Sequence, residues 1–398
     1  MLMFAHIDAD AFFASVLQRK YPKLKGKPLL ALGMGGGCVI AASYEAKAKG
    51  VKTGMRLADA RKLCRGAVEM PSDFEETAVA SRQIASVLHE QCPVMEQMSV
   101  DEWFLDLRSM QGGLPDNLFR WAEQIQKDML QRVDISVSAG IAHSKLLAKM
   151  ASEYHKPAAV TLITKQNLEA FLRDRPAAAI PGIGRRRSLH AEANRWQTAW
   201  DVATADQEQI RRLFGKPGRE MQLELLGTSI YGVEEDAGPP KSVSRCRSFR
   251  TTEDREKIFS SVLDHLSYTV LKMRRHGLMC RELCMWLRDG EYRHDGRNTK
   301  LPQPMDTEEQ ILPYVRECFR HLYEGTSRCT QTGLALCNLR SKGSLQFSLF
   351  EDVKHAGSSE QMQEKLDELH ERFGRISVTR GSALPTRSKE KSHLTIIY

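Results

Sequence analysis

No run of about 18 consecutive apolar residues occurs in the chain, so the sequence predicts no membrane-spanning helix. The nine cysteines contain no C-x-x-C pair, which favours reduced thiols of a cytoplasmic protein over a disulfide framework. The N-terminus has no basic stretch before the charged Asp8, so we expect no secretory signal. What remains is a chain of 398 residues with 58 Lys and Arg against 50 Asp and Glu. That excess favours a polyanionic partner.

Hydrophobic patterning in the first part of the chain predicts alternating strands and helices. Strands are expected at 4–8 and 135–142, and helices at 74–91 and 118–133. Residues 94–107 predict a pair of strands, although an acidic step interrupts them. This region is therefore expected to form a mixed α/β domain.

The pattern of residues changes from Ile180 onward. The segment Ile180-Pro-Gly-Ile-Gly184, followed by three arginines, predicts a hairpin between helices. Residues 233–241 are acidic and then Pro-rich, which is typical of a linker. Residues 241–342 predict an α/β sandwich that carries 19 basic and 13 acidic residues, so most of the net charge lies in one small domain.

Carboxylates at the ends of predicted strands are the clearest indication of a chemical site in the sequence. Asp8 closes the first apolar strand, and Asp101-Glu102 is the acidic step within residues 94–107. Uncompensated carboxylates in such places are costly, which makes a cation a natural partner. Oxygen ligands without His or Cys indicate Mg²⁺ or Mn²⁺, and two such ions could activate a hydroxyl and stabilise a leaving pyrophosphate. The alternative is that each acid is a surface or turn residue, and the spacing alone leaves both interpretations open.

Several motifs, in order, resemble those of the Y-family (translesion) DNA polymerases, closest to the bacterial polymerase IV and V branch. They are Phe4-Ala-His-Ile-Asp8-Ala-Asp10-Ala-Phe12-Phe13, Ala42-Ser-Tyr44-Glu-Ala-Lys47, Ser99-Val-Asp101-Glu102, Lys145-Leu-Leu-Ala-Lys149, Lys156-Pro157, Ile180-Pro-Gly-Ile-Gly184 and Lys241-Ser-Val243. The resemblance covers about residues 1–350.

This resemblance implies an α+β multidomain fold, a right-hand polymerase with palm, fingers, a helical helix-hairpin-helix thumb and an α/β little finger. The boundaries it implies are palm 1–12 and 73–163, fingers 13–72, thumb 164–231, linker 232–241, little finger 242–345, clamp-binding motif 346–350 and C-terminal tail 351–398.

The same resemblance implies functional residues. Asp8, Asp101 and Glu102 fall on the catalytic metal-binding carboxylates, with the carbonyl of Ala9 as a backbone ligand for two Mg²⁺ ions, or Mn²⁺. Asp10 is expected to be structural. The nucleotide-binding positions are Phe12, Phe13, Tyr44, Lys47 and Lys156, with Phe13 as the gate against ribonucleotides. Lys47 departs from the family's usual Arg, and a point charge cannot make the planar bidentate phosphate contact.

Two further sites concern macromolecular partners. The hairpin residues Gly182, Gly184, Arg185, Arg186 and Arg187 are expected to contact DNA phosphates, the alternative being a sharp turn with a solvated basic face. Residues Gln346, Phe347, Ser348, Leu349 and Phe350 resemble the pentapeptide that binds the bacterial sliding clamp, the alternative being a structural strand.

We therefore expect a monomeric, cytoplasmic, template-directed DNA polymerase. Its expected partners are primer-template DNA, deoxynucleoside triphosphates and the sliding clamp, with no membrane. It would copy damaged templates with low fidelity and low processivity. One alternative is a non-catalytic, clamp-binding repair accessory protein on the same fold, although such relatives lose the carboxylates. Another is a DNA-binding repair module built on the helix-hairpin-helix, which leaves the ordered palm motifs unexplained.

Overall fold

The computed structural model describes residues 4–33, 36–110, 112–236, 238–323, 328–342, 353–373 and 378. The chain forms two compact units that divide after Asp236, within the residues predicted as a linker. We call them the N-terminal and C-terminal units. In the described ranges, no helix is long and apolar enough to cross a membrane.

The N-terminal unit contains eight strands and ten α-helices among its described residues. The strands are β1 (Phe4–Ala9), β2 (Leu29–Leu32), β3 (Val39–Ala42), β4 (Val68–Pro71), β5 (Met95–Gln97), β6 (Glu102–Asp106), β7 (Val137–Ala142) and β8 (Val160–Leu162). The helices are α1 (Phe12–Lys20), α2 (Tyr44–Lys47), α3 (Leu57–Leu63), α4 (Phe74–Gln91), α5 (Leu118–Arg132), α6 (Lys145–Ser152), α7 (Leu168–Asp174), α8 (Arg185–Ala193), α9 (Ala199–Thr204) and α10 (Gln207–Leu225). The helix predicted at 74–91 and the strand pair predicted within 94–107 are confirmed.

The main sheet of this unit has the strand order β5-β6-β1-β7-β8. Strand β1 lies at its centre and pairs antiparallel with both β6 and β7. Because successive side chains of a strand point to opposite faces, β1 contributes side chains to two apolar clusters, one on each face of the sheet. Ala5 and Ile7 pack in a cluster with residues of α4 and α5, whereas Phe4 packs in a second cluster with residues of α6.

Two smaller regions complete the N-terminal unit. Strands β3-β2-β4 form a three-stranded sheet with its own buried clusters. Helices α7 to α10 share the apolar cluster of α6. The buried Glu224 of α10 reinforces this junction, since its carboxylate accepts the Leu146 amide at 3.0 Å.

The C-terminal unit combines one sheet with three helices among its described residues. Its strands are β9 (Ser242–Thr252), β10 (Leu278–Asp289), β11 (His294–Met305), β12 (Cys329–Cys337) and β13 (Arg340–Ser341), and its helices are α11 (Arg255–Arg275), α12 (Glu308–Tyr323) and α13 (Val353–Phe373). The sheet order is β11-β10-β12-β9, with β13 paired to β10. Residues of α11 and α12 share one apolar core with the sheet, which confirms the predicted α/β sandwich.

Candidate active site

The register of the central strands brings the predicted catalytic carboxylates together. Asp8 at the end of β1 lies directly opposite Glu102 at the start of β6. The Ala9 amide donates to the carbonyl of Asp101 at 2.9 Å. The two strands run antiparallel, so the end of one meets the beginning of the other, and residues far apart in the chain become neighbours.

Helix α6 reaches this strand junction because Gly140 has no side chain. A Cβ at Gly140 of β7 would lie 2.1 Å from the carbonyl oxygen of Ala148 and 2.3 Å from the amide nitrogen of Ser152. Any other residue would push the helix backbone away from the sheet. The close approach places Lys149 of α6 beside Asp8 and Glu102. It also places Glu153 there, which lies one turn after Lys149 and directly follows the helix.

Two lysines pair with the carboxylates. Lys156 forms an ion pair with Asp8, and Lys149 forms one with Glu102. The Lys149 ammonium also lies 3.8 Å from a carboxylate oxygen of Glu153. Each lysine is therefore positioned to offset negative charge at the strand junction.

A group of three carboxylates could hold a cation here. One oxygen from each of Asp8, Glu102 and Glu153 lies within 4.8 Å of the others. This all-oxygen donor set fits Mg²⁺ or Mn²⁺. The Asp101 carboxylate accepts a hydrogen bond from the Ser99 hydroxyl at 2.5 Å instead, and its role as a metal ligand stays a prediction.

Burial dominates the electrostatics of Asp8, whose exposed fraction is 7%. Desolvation raises the pKa of Asp8 to about 7, although the ion pair with Lys156 acts in the opposite direction. The nearby charges of Glu102 and Asp101 raise the pKa further. A bound cation would supply the positive charge that ionised Asp8 needs.

Asp10 is fully engaged in hydrogen bonds and fits the structural role expected of it. Its buried carboxylate accepts from the Ser138 hydroxyl at 2.8 Å, the Ala158 amide at 2.8 Å and the Tyr44 hydroxyl at 3.3 Å. These bonds connect the end of β1 to α2 and to the loop that carries Lys156.

The predicted triphosphate-binding side chains lie around this network. The Lys47 ammonium lies 4.3 Å from the centre of the Tyr44 ring. Burial and the charge of Lys156 lower the pKa of Lys47. Burial and the Asp10 carboxylate raise the pKa of the Tyr44 phenol. The positive charges of Lys47 and Lys156 therefore repel each other, and the role of the two lysines in nucleotide binding stays a prediction.

The aromatic pair of α1 divides between core and surface. Phe12 is buried in the cluster of the central sheet. Phe13 is only partly buried, with its ring centre 6.0 Å from that of Phe12 and 5.9 Å from that of Phe74, which it meets edge-on. Phe13 is therefore the more accessible of the two rings.

The hairpin arginines differ in what they contact. Arg187 donates to the carbonyl of Gly182 at 3.0 Å and lies over the Phe214 ring, so it is used within the fold. Gly182 has a φ of 98°, which favours glycine at this turn. Arg185 and Arg186 are exposed in the first turn of α8, just after Gly184. The clamp-like residues 346–350 lie outside the described residues.

Sequence reasoning gave no catalytic role to Lys149 and Glu153. Both belong to the α6 segment, and their spacing of four residues puts them on one helix face. This spacing can be read from the sequence, but the sequence does not show which strand that helix face contacts.

Comparisons with known proteins point to one protein family. The model of the impB/mucB/samB family matches residues 7–153, and the model of its C-terminal domain matches residues 240–349. DNA polymerase IV 1 of Bacillus subtilis is 28% identical over 396 residues, covering 97% of this chain and 94% of that protein. DNA polymerase IV of Xanthomonas oryzae pv. oryzae is 29% identical over 360 residues, covering 89% of this chain and 100% of that protein.

Solved structures have the same fold. A Y-family DNA polymerase chimera has a TM-score of 0.73 at 23% identity and covers 85% of this chain and 100% of its own. DinB from Sulfolobus solfataricus has a TM-score of 0.57 at 22% identity, with the same coverage. The predicted α+β polymerase fold class is confirmed. Since the two family models together match more than half of its residues, the chain belongs to the impB/mucB/samB family, the Y-family of translesion DNA polymerases.

Proposed function

We propose that this chain extends primer strands opposite damaged template bases by two-metal-ion nucleotidyl transfer, with low fidelity and low processivity. The observation that carries the proposal is the convergence of Asp8, Glu102 and Glu153 oxygens within 4.8 Å beside two lysines. Asp8, Asp101, Glu102 and the Ala9 carbonyl would hold Mg²⁺, with Mn²⁺ as an alternative.

The reaction is a phosphoryl transfer. The primer 3′-hydroxyl oxygen bonds to the α-phosphorus of a deoxynucleoside triphosphate, the bond to the bridging oxygen breaks, and pyrophosphate leaves while the hydroxyl proton passes to solvent. When bound, two Mg²⁺ ions would lower the pKa of that hydroxyl and offset the charge of the leaving group.

The lysines have a place in this scheme. Lys156 pairs with Asp8 and would contact the triphosphate, together with Lys47 and Tyr44, once Asp8 serves as a ligand. Lys149 already contacts Glu153 as well as Glu102, so it keeps a carboxylate partner when Glu102 is engaged. Glu153 would thereby position Lys149.

The remaining contacts serve the substrates. Phe13 would lie against the sugar and exclude a 2′-hydroxyl. Arg185 and Arg186 would contact phosphates of primer-template DNA without reading its sequence. Such binding suits an enzyme that accepts any template.

Primer extension past a defined abasic site, with and without Mg²⁺, tests the proposal. Asp101→Ala should lose extension yet retain DNA binding, because the loss of one metal ligand costs several kcal/mol of transition-state stabilisation. Asp134→Ala is the control, since Asp134 is an exposed residue paired with Lys25. Extension by Asp101→Ala at the wild-type rate would overturn the assignment.

We also propose recruitment by the sliding clamp through residues 346–350, where Phe347, Leu349 and Phe350 would be the apolar anchors. Combined Leu349→Ala and Phe350→Ala should abolish clamp binding, because truncating central anchors typically costs about 2 kcal/mol or more each. Leu369→Ala with Phe373→Ala is a matched control on exposed residues of α13. Full clamp affinity in the Leu349/Phe350 variant would reject the motif.

A further inference from the structure

A groove between α11 and α12 in the C-terminal unit has no part in the proposed chemistry. Its cavity volume is about 530 Å³, and its lining includes Arg255, Phe259, Arg316, Phe319 and Arg320. This volume lies within the usual range for ligand-binding clefts, roughly 300–1,000 Å³.

Three guanidinium groups in this groove form no ion pair with a carboxylate among the described residues. Arg255, Arg316 and Arg320 are exposed, and none forms an ion pair with any carboxylate in the described part of the chain. The placement of Arg255 and Arg316 also does not favour helix stability. Arg255 is the first residue of α11, where the helix dipole favours acidic residues. Arg316 and Arg320 are like charges four residues apart on α12. Cations that form no ion pair and lie beside an apolar surface are available to an anionic ligand.

Aromatic rings form the apolar side of the groove. The ring centres of Phe259 and Phe319 lie 4.8 Å apart, and Tyr323 stacks on Phe319 at 5.4 Å. The Arg255 guanidinium lies 5.7 Å and 5.8 Å from the centres of Phe319 and Tyr323. The rings therefore hold Arg255 in place. With Phe319 buried and the guanidinium beside it, this wall suits an aliphatic side chain better than a stacked base.

Two glutamates in the groove favour an acidic peptide over a nucleic-acid strand as its ligand. Glu256 and Glu317 line the same groove and interrupt its positive surface. A nucleic-acid strand carries a charge at every phosphate and would meet both carboxylates. A peptide can place acidic residues only where the arginines are, and its carboxylates, like phosphates, can accept two hydrogen bonds from one guanidinium group.

We propose that this groove binds an acidic peptide segment of a partner protein. Its carboxylates would pair with Arg255, Arg316 and Arg320, and an aliphatic side chain between them would contact Phe259 and the edge of Phe319. The binding site is separate from the polymerase chemistry, so the two proposals succeed or fail independently.

The test uses the full chain and a short fluorescein-labelled peptide in which Asp and Glu alternate with Leu, with anisotropy as the readout. Combined Arg316→Glu and Arg320→Glu should weaken binding by about tenfold or more. Combined Arg250→Glu and Lys300→Glu changes the net charge equally at exposed strand positions and should stay within about twofold of wild type. Replacing Leu by Ser in the peptide should also weaken binding.

Several outcomes would overturn the proposal: no binding to the wild type, equal weakening by both charge reversals, or indifference to the Leu-to-Ser change. Tighter, groove-dependent binding of a single-stranded oligonucleotide would assign the groove to nucleic acid instead. If the charge-reversal variant fails to fold by circular dichroism, Arg316→Gln with Arg320→Gln replaces it. Primer extension by the groove variant should remain within about twofold of wild type, which separates this site from the polymerase centre.

Discussion

Replacing Asp8 with Asn should stabilise the metal-free protein at alkaline pH while abolishing primer extension. Asp8 is buried, and desolvation raises the pKa of its carboxyl from 3.8 to about 7. The folded protein therefore holds a proton on Asp8 in a pH range where the unfolded chain has already released it. Stability must fall as pH rises through that range, because the native state binds more protons.

The magnitude follows from the two pKa values. Between 3.8 and about 7 the difference is roughly three units, and each unit corresponds to about 1.36 kcal/mol, so ionised Asp8 costs the native state up to about 4 kcal/mol. Asn is neutral at every pH and has nearly the same shape. Asp8→Asn should thus match the wild type near pH 4 and exceed its free energy of unfolding by a few kcal/mol at pH 8.5.

Urea unfolding in EDTA, followed by circular dichroism at pH 4.5 and pH 8.5, measures this difference. Asp134→Asn is the control, because its ion pair with Lys25 is half exposed and should contribute less than about 1 kcal/mol at either pH. Added Mg²⁺ should stabilise the wild type more than Asp8→Asn, since a ligand that binds only the native state raises its stability.

Two results would refute the reasoning. Asp8→Asn could be less stable than the wild type at pH 8.5, which would mean that the Lys156 ion pair outweighs desolvation. Alternatively, the difference between the two proteins could be the same at both pH values, which would mean that Asp8 titrates alike in the folded and unfolded states.

Three further predictions concern residues of the N-terminal unit. Phe13→Ala should accept ribonucleotides far better than the wild type in single-nucleotide insertion assays, and unchanged rejection would move the gate to Phe12. Lys47→Ala should raise the KM for nucleotides and Lys47→Arg should be neutral or favourable, as steady-state kinetics would measure, whereas wild-type kinetics for Lys47→Ala would leave it a surface residue. Gly140→Ala should destabilise the protein by about 1–3 kcal/mol and weaken Mn²⁺ binding, because its methyl group displaces α6; unchanged thermal unfolding would show that the helix adjusts freely.

Local patterns were sufficient for most of the elements that carry the site. The helix predicted at 74–91 begins and ends at those residues, and Asp73 caps it by accepting the Glu76 amide. Of the two acidic residues predicted within a strand pair, Asp101 lies just before β6 and Glu102 is the first residue of β6. Local hydrophobic patterning does not indicate strand β11, because His294–Met305 is largely polar and contains two prolines. Its extended conformation comes from antiparallel pairing with β10, the strand that immediately precedes it in the chain.

The sequence by itself determined which residue types could do the chemistry: an apolar strand ending in Asp8, a second acidic step at Asp101-Glu102, and basic residues nearby. Only the tertiary structure determined which of these residues lie next to one another. The antiparallel register places Glu102 opposite Asp8, and the missing side chain of Gly140 lets α6 bring Lys149 to them. Register and helix–sheet distance depend on packing between segments that are distant in the chain, and no local periodicity encodes them.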